Sequence, residues 1–348
     1  MDQPPDDPLL GTVLLALLAA SVATWYALIA RWRRGEPALK YEPRTPVPWG
    51  VPIAMLAVVF VAISLLSPSD VDAAPPPPEG ANPLEVSQRL IGLILFQSAV
   101  IGAVLFIVAV IYRANLRDFG FPEYAHELVR DIRIGILACL AALAPVYGVQ
   151  LLMLYLFGPS KHPLVEMVTR GEPNVAIVFL ASVAAVVVAP VSEEILFRLL
   201  LQGWLEKWKD RRVRRHDEQQ KDDALTTNDE ARITNDDREA SANSSFDIRH
   251  SSLEAPIPPA EPTLLVEPPS RGLTGLPYGW TPILISSLLF AVAHFGYGPD
   301  PIAIFFLALI LGYVYQRTHR IVPCIVAHAL FNSLAMLILW RMMFLHAE

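Results

Sequence analysis

Apolar runs about 20 residues long alternate along the chain with short segments rich in arginine and lysine, and one long polar stretch interrupts the series. A helix needs about 20 apolar residues to cross a bilayer. Eight runs meet or approach that length, at residues 9–30, 48–67, 90–112, 134–157, 175–200, 279–297, 301–316 and 321–340. The pattern predicts an all-α polytopic transmembrane helical bundle of about eight spans. The seventh run is the short one, which predicts a tilted, sunken or partly spanning helix there. A six- or seven-span count follows if the first or the seventh run is not a true crossing.

The polar segments between the runs orient them. Arg31, Arg33, Arg34, Lys40 and Arg44 follow the first run; Arg113, Arg117, Arg130 and Arg133 follow the third; Arg317 and Arg320 flank the last turn. The alternate loops are poorer, with Arg89 in one and Lys161 and Arg170 in another. Basic loops stay in the cytoplasm, so eight spans with both termini outside fit the charges. The first run is not a signal peptide in pattern, because Asp2, Asp6 and Asp7 precede it where a basic region belongs. The expected location is the cell (plasma or inner) membrane.

Four regions follow. Residues 1–133 hold N-terminal helices and a proline-rich external loop that opens at Ala74–Pro78. Residues 134–206 hold core helices. Residues 207–277 mix acidic, basic and amide positions without periodicity and end in Pro256, Pro258, Pro259 and Pro262; this predicts a disordered cytoplasmic insertion. Its first residues, Lys207, Lys209, Arg211, Arg212, Arg214 and Arg215, suit a topology anchor beside anionic headgroups. Residues 278–348 return to core helices.

Composition agrees with a membrane protein. The chain of 348 residues is 53% hydrophobic, with a mean hydropathy of +0.42, above the range of soluble domains. Its two cysteines, Cys139 and Cys324, form neither a zinc-finger spacing nor a disulfide framework. The net charge of -7 sums loops on both sides of the membrane and says little. The expected partners are membrane lipids and a peptide or protein substrate, and not nucleic acid.

Ionisable groups at bilayer depth are costly and point to function. The fifth run ends in Glu193, Glu194 and Arg198; the sixth carries His294; the eighth carries His328 and Asn332. Glu194 and Arg198 are four apart in the favourable order for an ion pair. Glu193 is rotated by about 100° from Glu194, so it is left to face a cavity. His328 and Asn332 share one helix face, as do Phe290 and His294. Pro190, just before the glutamates, breaks the helical hydrogen bonding and frees the Val186 carbonyl.

A carboxylate, two imidazoles and an amide admit two kinds of hydrolysis. The carboxylate can take a proton from water, helped by a histidine, while amide and imidazole donors stabilise the oxyanion. Alternatively Glu193, His294, His328 and Asn332 can hold a divalent metal such as zinc, which activates the water. The His-Glu-x-x-His signature is absent, and residue types alone leave the choice open.

Three motifs in order, Glu-Glu-x-x-x-Arg (Glu193, Glu194, Arg198), Phe-x-x-x-His (Phe290, His294) and His-x-x-x-Asn (His328, Asn332), resemble those of the CAAX protease and bacteriocin-processing family of intramembrane proteases, which includes the type II CAAX prenyl endopeptidases. The resemblance runs from about Val175 to Trp340, skipping the insertion. It implies a helical-bundle endopeptidase, with Glu193 as the base that activates water and His294 assisting. It further implies that His328 and Asn332 stabilise the oxyanion or bind a metal, and that Glu194 and Arg198 organise the site. Leu199 stands where the family often has glycine.

Two other function classes carry the same residues. A proton-coupled transporter also uses intramembrane Glu and His, though paired broken helices are expected there. A non-catalytic membrane scaffold would keep the polar groups for packing. One point of geometry strains a common site. Glu193 and His328 read as near the cytoplasmic ends of their spans, whereas His294 lies roughly 22 Å into the sixth at 1.5 Å per residue.

Overall fold

The computed structural model describes residues 8–44, 46–66, 82–158, 165, 168, 174–212, 215, 219–220, 276–295 and 300–344. The described residues form helices and no strand. We label them α1 (Pro8–Arg33), α2 (Val51–Leu66), α3 (Pro83–Ile111), α4 (Ala125–Phe157), α5 (Val175–Arg212), α6 (Thr281–Val292), α7 (Asp300–Thr318) and α8 (Ile321–Phe344). The chain divides into two compact units, Met1–Glu206 with Pro269–Glu348, and Lys207–Pro268. Most of the second unit, the proline-rich loop at 74–78 and the acidic residues Asp2, Asp6 and Asp7 lie outside the described residues.

Six of these helices are long and apolar enough to cross a membrane. The exceptions are α2, with 16 residues, and α6, with 12. The shortfall expected at the seventh run therefore falls elsewhere: α7 has 19 residues and begins at Asp300. Apolarity marks what a segment can bury, and hydrogen bonding decides where its helix stops. The sixth run keeps its apolar character past Val292, yet its helix closes there with tight turns from His294 N–H to Ala291 and from Phe295 N–H to Val292. On α3, Leu95, Phe96 and Phe106 are exposed, as lipid-facing side chains are. The protein is an integral membrane helical bundle.

Helix α5 is the core element, and it is irregular. Two segments, Ala184–Val188 and Ile195–Gln202, run in π-helical register. The N–H of Ala189 accordingly bonds the Ala184 carbonyl, five residues back, and Gly203 bonds Arg198 in the same way. The wider turn suits a helix covered on all sides, and every residue from Phe197 to Gln202 is buried. Trp49, itself buried, donates from its indole to the Leu200 carbonyl at 3.1 Å.

Prolines create two further docking points. Pro145 in α4 lacks the N–H that would bond Ala141, and Trp25 of α1 donates to that carbonyl at 2.9 Å. Ser21 of α1 accepts from Ala144 N–H at 3.0 Å, so α1 is hydrogen-bonded onto the break. Pro190 in α5 follows a π segment. The Ala185 carbonyl lies five residues before the proline, inside that π segment. Asn332 of α8 donates to the Ala185 carbonyl at 2.8 Å.

One end of the bundle is closed by a polar clasp. The 34–50 connection meets α7 through Glu42 N–H to the Arg317 carbonyl, and Ile321 N–H bonds the Gly120 carbonyl. Gly120 has φ +71°, and an added Cβ would lie 2.7 Å from the His319 carbonyl oxygen, so glycine is required there. Arg44 pairs with buried Glu206 at 3.2 Å and donates to the Tyr315 hydroxyl at 2.6 Å. His319 brings Nδ1 to the Glu42 carbonyl at 2.8 Å and Nε2 to Glu206 at 3.2 Å. Arg320 pairs with Asp131 at 2.7 Å. These connections all meet on one face.

Candidate active site

The glutamates sit where α5 changes register, between its two π segments. Because α5 continues to Arg212, Glu193 lies in the middle of its helix and not near its end. His294 lies two residues beyond the end of short α6. Glu193 is 13 residues before Glu206 at the clasp, and His294 is 13 residues after Thr281 at the start of α6. The two groups therefore reach the same depth, and the mismatch expected from the apolar runs disappears.

Glu194 is fully buried and tied on both sides. Its Oε2 lies 3.1 Å from Arg198 Nε, and its Oε1 lies 2.9 Å from His328 Nδ1. The spacing-based ion pair between Glu194 and Arg198 is thus present, with an added histidine. Arg198 is also fully buried; it donates from Nη1 to Ser286 Oγ at 2.8 Å and lies over the Phe290 ring at 5.1 Å. Ser286 in turn donates to the Phe197 carbonyl at 2.8 Å.

Glu193 is different. Its side chain is 14% exposed, and its two oxygens face two imidazoles. Oε1 is 3.9 Å from His294 Nε2, and Oε2 is 3.7 Å from His328 Nε2. Both distances exceed hydrogen-bond reach.

The tautomers follow from the other ring nitrogens. His294 Nδ1 is 2.9 Å from the Phe290 carbonyl, which can only accept, so Nδ1 carries the proton. His328 Nδ1 faces the Glu194 carboxylate, which Arg198 also approaches, so it too donates. With the proton on Nδ1, a neutral imidazole would present its Nε2 lone pair toward Glu193. Phe290 stacks obliquely on His294 at 5.0 Å and edge-on to His328 at 5.8 Å, which fixes both rings.

Of the six residues singled out in the sequence, five converge directly: Glu193, Glu194, Arg198, His294 and His328. Asn332 is adjacent, with an amide N–H committed to the Ala185 carbonyl. Among the described residues no three His, Cys, Asp or Glu side chains group closely enough to hold a metal ion, and the Asn332 amide points its hydrogen at backbone. Sequence reasoning passed over Ser286, although it lies four residues before Phe290 and eight before His294, on the same face of α6. Its chemistry was hidden because a serine in an apolar helix ordinarily satisfies itself on its own backbone.

Residues 269–334 match the family described as type II CAAX prenyl endopeptidase Rce1-like. The match begins at residue 269, so it contains His294, His328 and Asn332 and leaves Glu193, Glu194 and Arg198 outside. No curated protein and no solved structure matches the chain.

Proposed function

We propose that this protein, which is similar over residues 269–334 to Rce1-like type II CAAX prenyl endopeptidases, is an intramembrane endopeptidase in which Glu193 activates water. The observation that carries this reading is the facing of one partly open carboxylate by two imidazole Nε2 atoms, at 3.7 and 3.9 Å, while both Nδ1 atoms are held by fixed acceptors.

In this reading a water hydrogen-bonded between Glu193 and the histidines loses a proton to Glu193 and attacks the scissile carbonyl carbon. The C–O bond forms as the carbonyl π pair moves onto oxygen. Glu193 then returns the proton to the leaving amine as the C–N bond breaks. His328 with Glu194 behind it resembles the carboxylate–imidazole dyad of acyl-transfer sites, and Glu194 holds its ring facing Glu193. His294 orients the water. Asn332 holds the break at Pro190, and so the backbone that aims Glu193. No step here runs through a metal.

The site lies at mid-helix depth, which suits a membrane-associated peptide, and an isoprenylated C-terminal peptide is the first substrate class to test. The basic clasp face is assigned to the cytoplasm, with both termini outside. The test is cleavage of quenched fluorescent isoprenylated peptides by the purified protein in liposomes, beside Glu193→Gln and a strong chelator. Cleavage that Glu193→Gln abolishes and the chelator spares supports the reading. Equal cleavage by Glu193→Gln overturns it, and loss with chelator restored by zinc replaces the glutamate-only chemistry with a metal-dependent one.

A further inference from the structure

We infer that Ser286 is a positioning residue for this site, acting through Arg198 and Glu194 on His328; the inference rests on the proposed hydrolase reading. The geometry is a continuous relay. The Ser286 hydroxyl is buried and uses both of its capacities, accepting from Arg198 Nη1 at 2.8 Å and donating to the Phe197 carbonyl at 2.8 Å. Arg198 lies 3.1 Å from Glu194 Oε2, and Glu194 Oε1 meets His328 Nδ1 at 2.9 Å.

The reason the relay needs an outside anchor is the register of α5. Arg198 lies inside a π segment, where the four-residue spacing to Glu194 no longer stacks side chains as regular helix geometry does. A long guanidinium in that position has several rotamers. The Ser286 oxygen on the neighbouring helix selects one, and it does so while tied to the backbone of Phe197, the residue before Arg198. The hydroxyl thus measures the position of Arg198 against its own main chain. What reaches the reacting atoms is the orientation of the His328 ring, whose Nε2 faces Glu193 at 3.7 Å.

Ser286 is fully buried behind Arg198, so loss of the hydroxyl removes no group that could touch substrate. The effect belongs in kcat, with KM unchanged. Ser287 is the internal control: it is the next residue on α6, equally buried, and outside the relay.

The experiment compares Ser286→Ala, Ser286→Thr and Ser287→Ala in liposomes, with Glu193→Gln alongside and each variant checked for a parent-like size-exclusion profile. The expected result is a fall of about tenfold in kcat for Ser286→Ala at unchanged KM, the loss expected from one charge-assisted hydrogen bond. Ser286→Thr, which keeps the hydroxyl, recovers most of it, and Ser287→Ala stays within about twofold of the parent, the scatter of a control outside the relay. An equal fall in Ser287→Ala, or parent-like kcat in Ser286→Ala, overturns the inference. Should Ser286→Ala not fold, Ser286→Cys decides, since its thiol is a poorer partner of similar size: kcat equal to that of the parent overturns, and a reduced kcat rescued by threonine supports. If Glu193→Gln is as active as the parent, it is the hydrolase reading that fails; if it is inactive while Ser286→Ala is normal, only the relay fails.

Discussion

Two carboxylates on α5, Glu193 and Glu206, both have histidine neighbours, and they are held in opposite ways. Glu206 is closed: Arg44 and His319 each approach to 3.2 Å, Gln202 donates at 3.1 Å, and the side chain is 2% exposed. Glu193 is open: its imidazole neighbours stop at 3.7 and 3.9 Å. Burying a charge is tolerable when its partners are in contact. A carboxylate kept at arm's length from its partners gains little stability from them, and that is the arrangement a base needs if it is to exchange a proton with water. The clasp holds connections together; the site keeps a gap between groups that could have closed it.

The difference can be broken by substitution. Glu193→Gln is expected to lower kcat by about 10²–10⁴-fold, the usual contribution of a general base, while the melting temperature in detergent stays at or above that of the parent. Glu206→Ala should do the reverse. It leaves Arg44 and His319 without their carboxylate, a loss of about 3 kcal/mol by analogy with broken buried pairs, and the remaining folded protein should keep its kcat. If both variants change the same property, the contrast is wrong.

Asn332→Ala tests the boundary between the two behaviours. The Ala185 carbonyl loses its partner, which costs about 1–3 kcal/mol, and kcat should fall less than in Glu193→Gln. Thermal melting combined with peptide cleavage separates the two contributions.

The smallest effect concerns pH. Burial, and next the Arg44 guanidinium, push the His319 imidazole below its ordinary value against the pull of Glu206 and the Glu42 carbonyl. The unfolded chain then binds the extra proton more readily, so stability rises with pH across the interval between the folded and unfolded values. It is full above about pH 6.5, the ordinary imidazole value, and declines as pH falls below it. Melting temperatures of the parent should drop on acidification from pH 7 to 5 more steeply than those of His319→Gln.

Parts of this contrast are visible in the chain alone. The apolar runs mark the helices, and the four-residue spacing of Glu194 and Arg198 announces their pair, because both depend on periodicity within one segment. The clasp is less visible. Arg44, Arg317 and Arg320 read as topology markers in basic loops, yet Arg317 is 4% exposed and Arg320 is bonded to Asp131. Glu206 and His319 carried no motif, and only the meeting of distant connections gives them partners.

Hydrophobic pattern and residue order determined by themselves that this is a helical membrane protein with two glutamates, an arginine, two histidines and an asparagine inside it, because bilayer solvation acts on each segment separately. The tertiary structure decided what those groups face. It put two segments of α5 into π register and brought the Ala185 carbonyl to Asn332. It ended α6 at Val292, which brings His294 level with Glu193. It set the separations that leave Glu193 open and Glu206 closed. Distances between helices depend on packing among segments far apart in the chain, and no local periodicity encodes them.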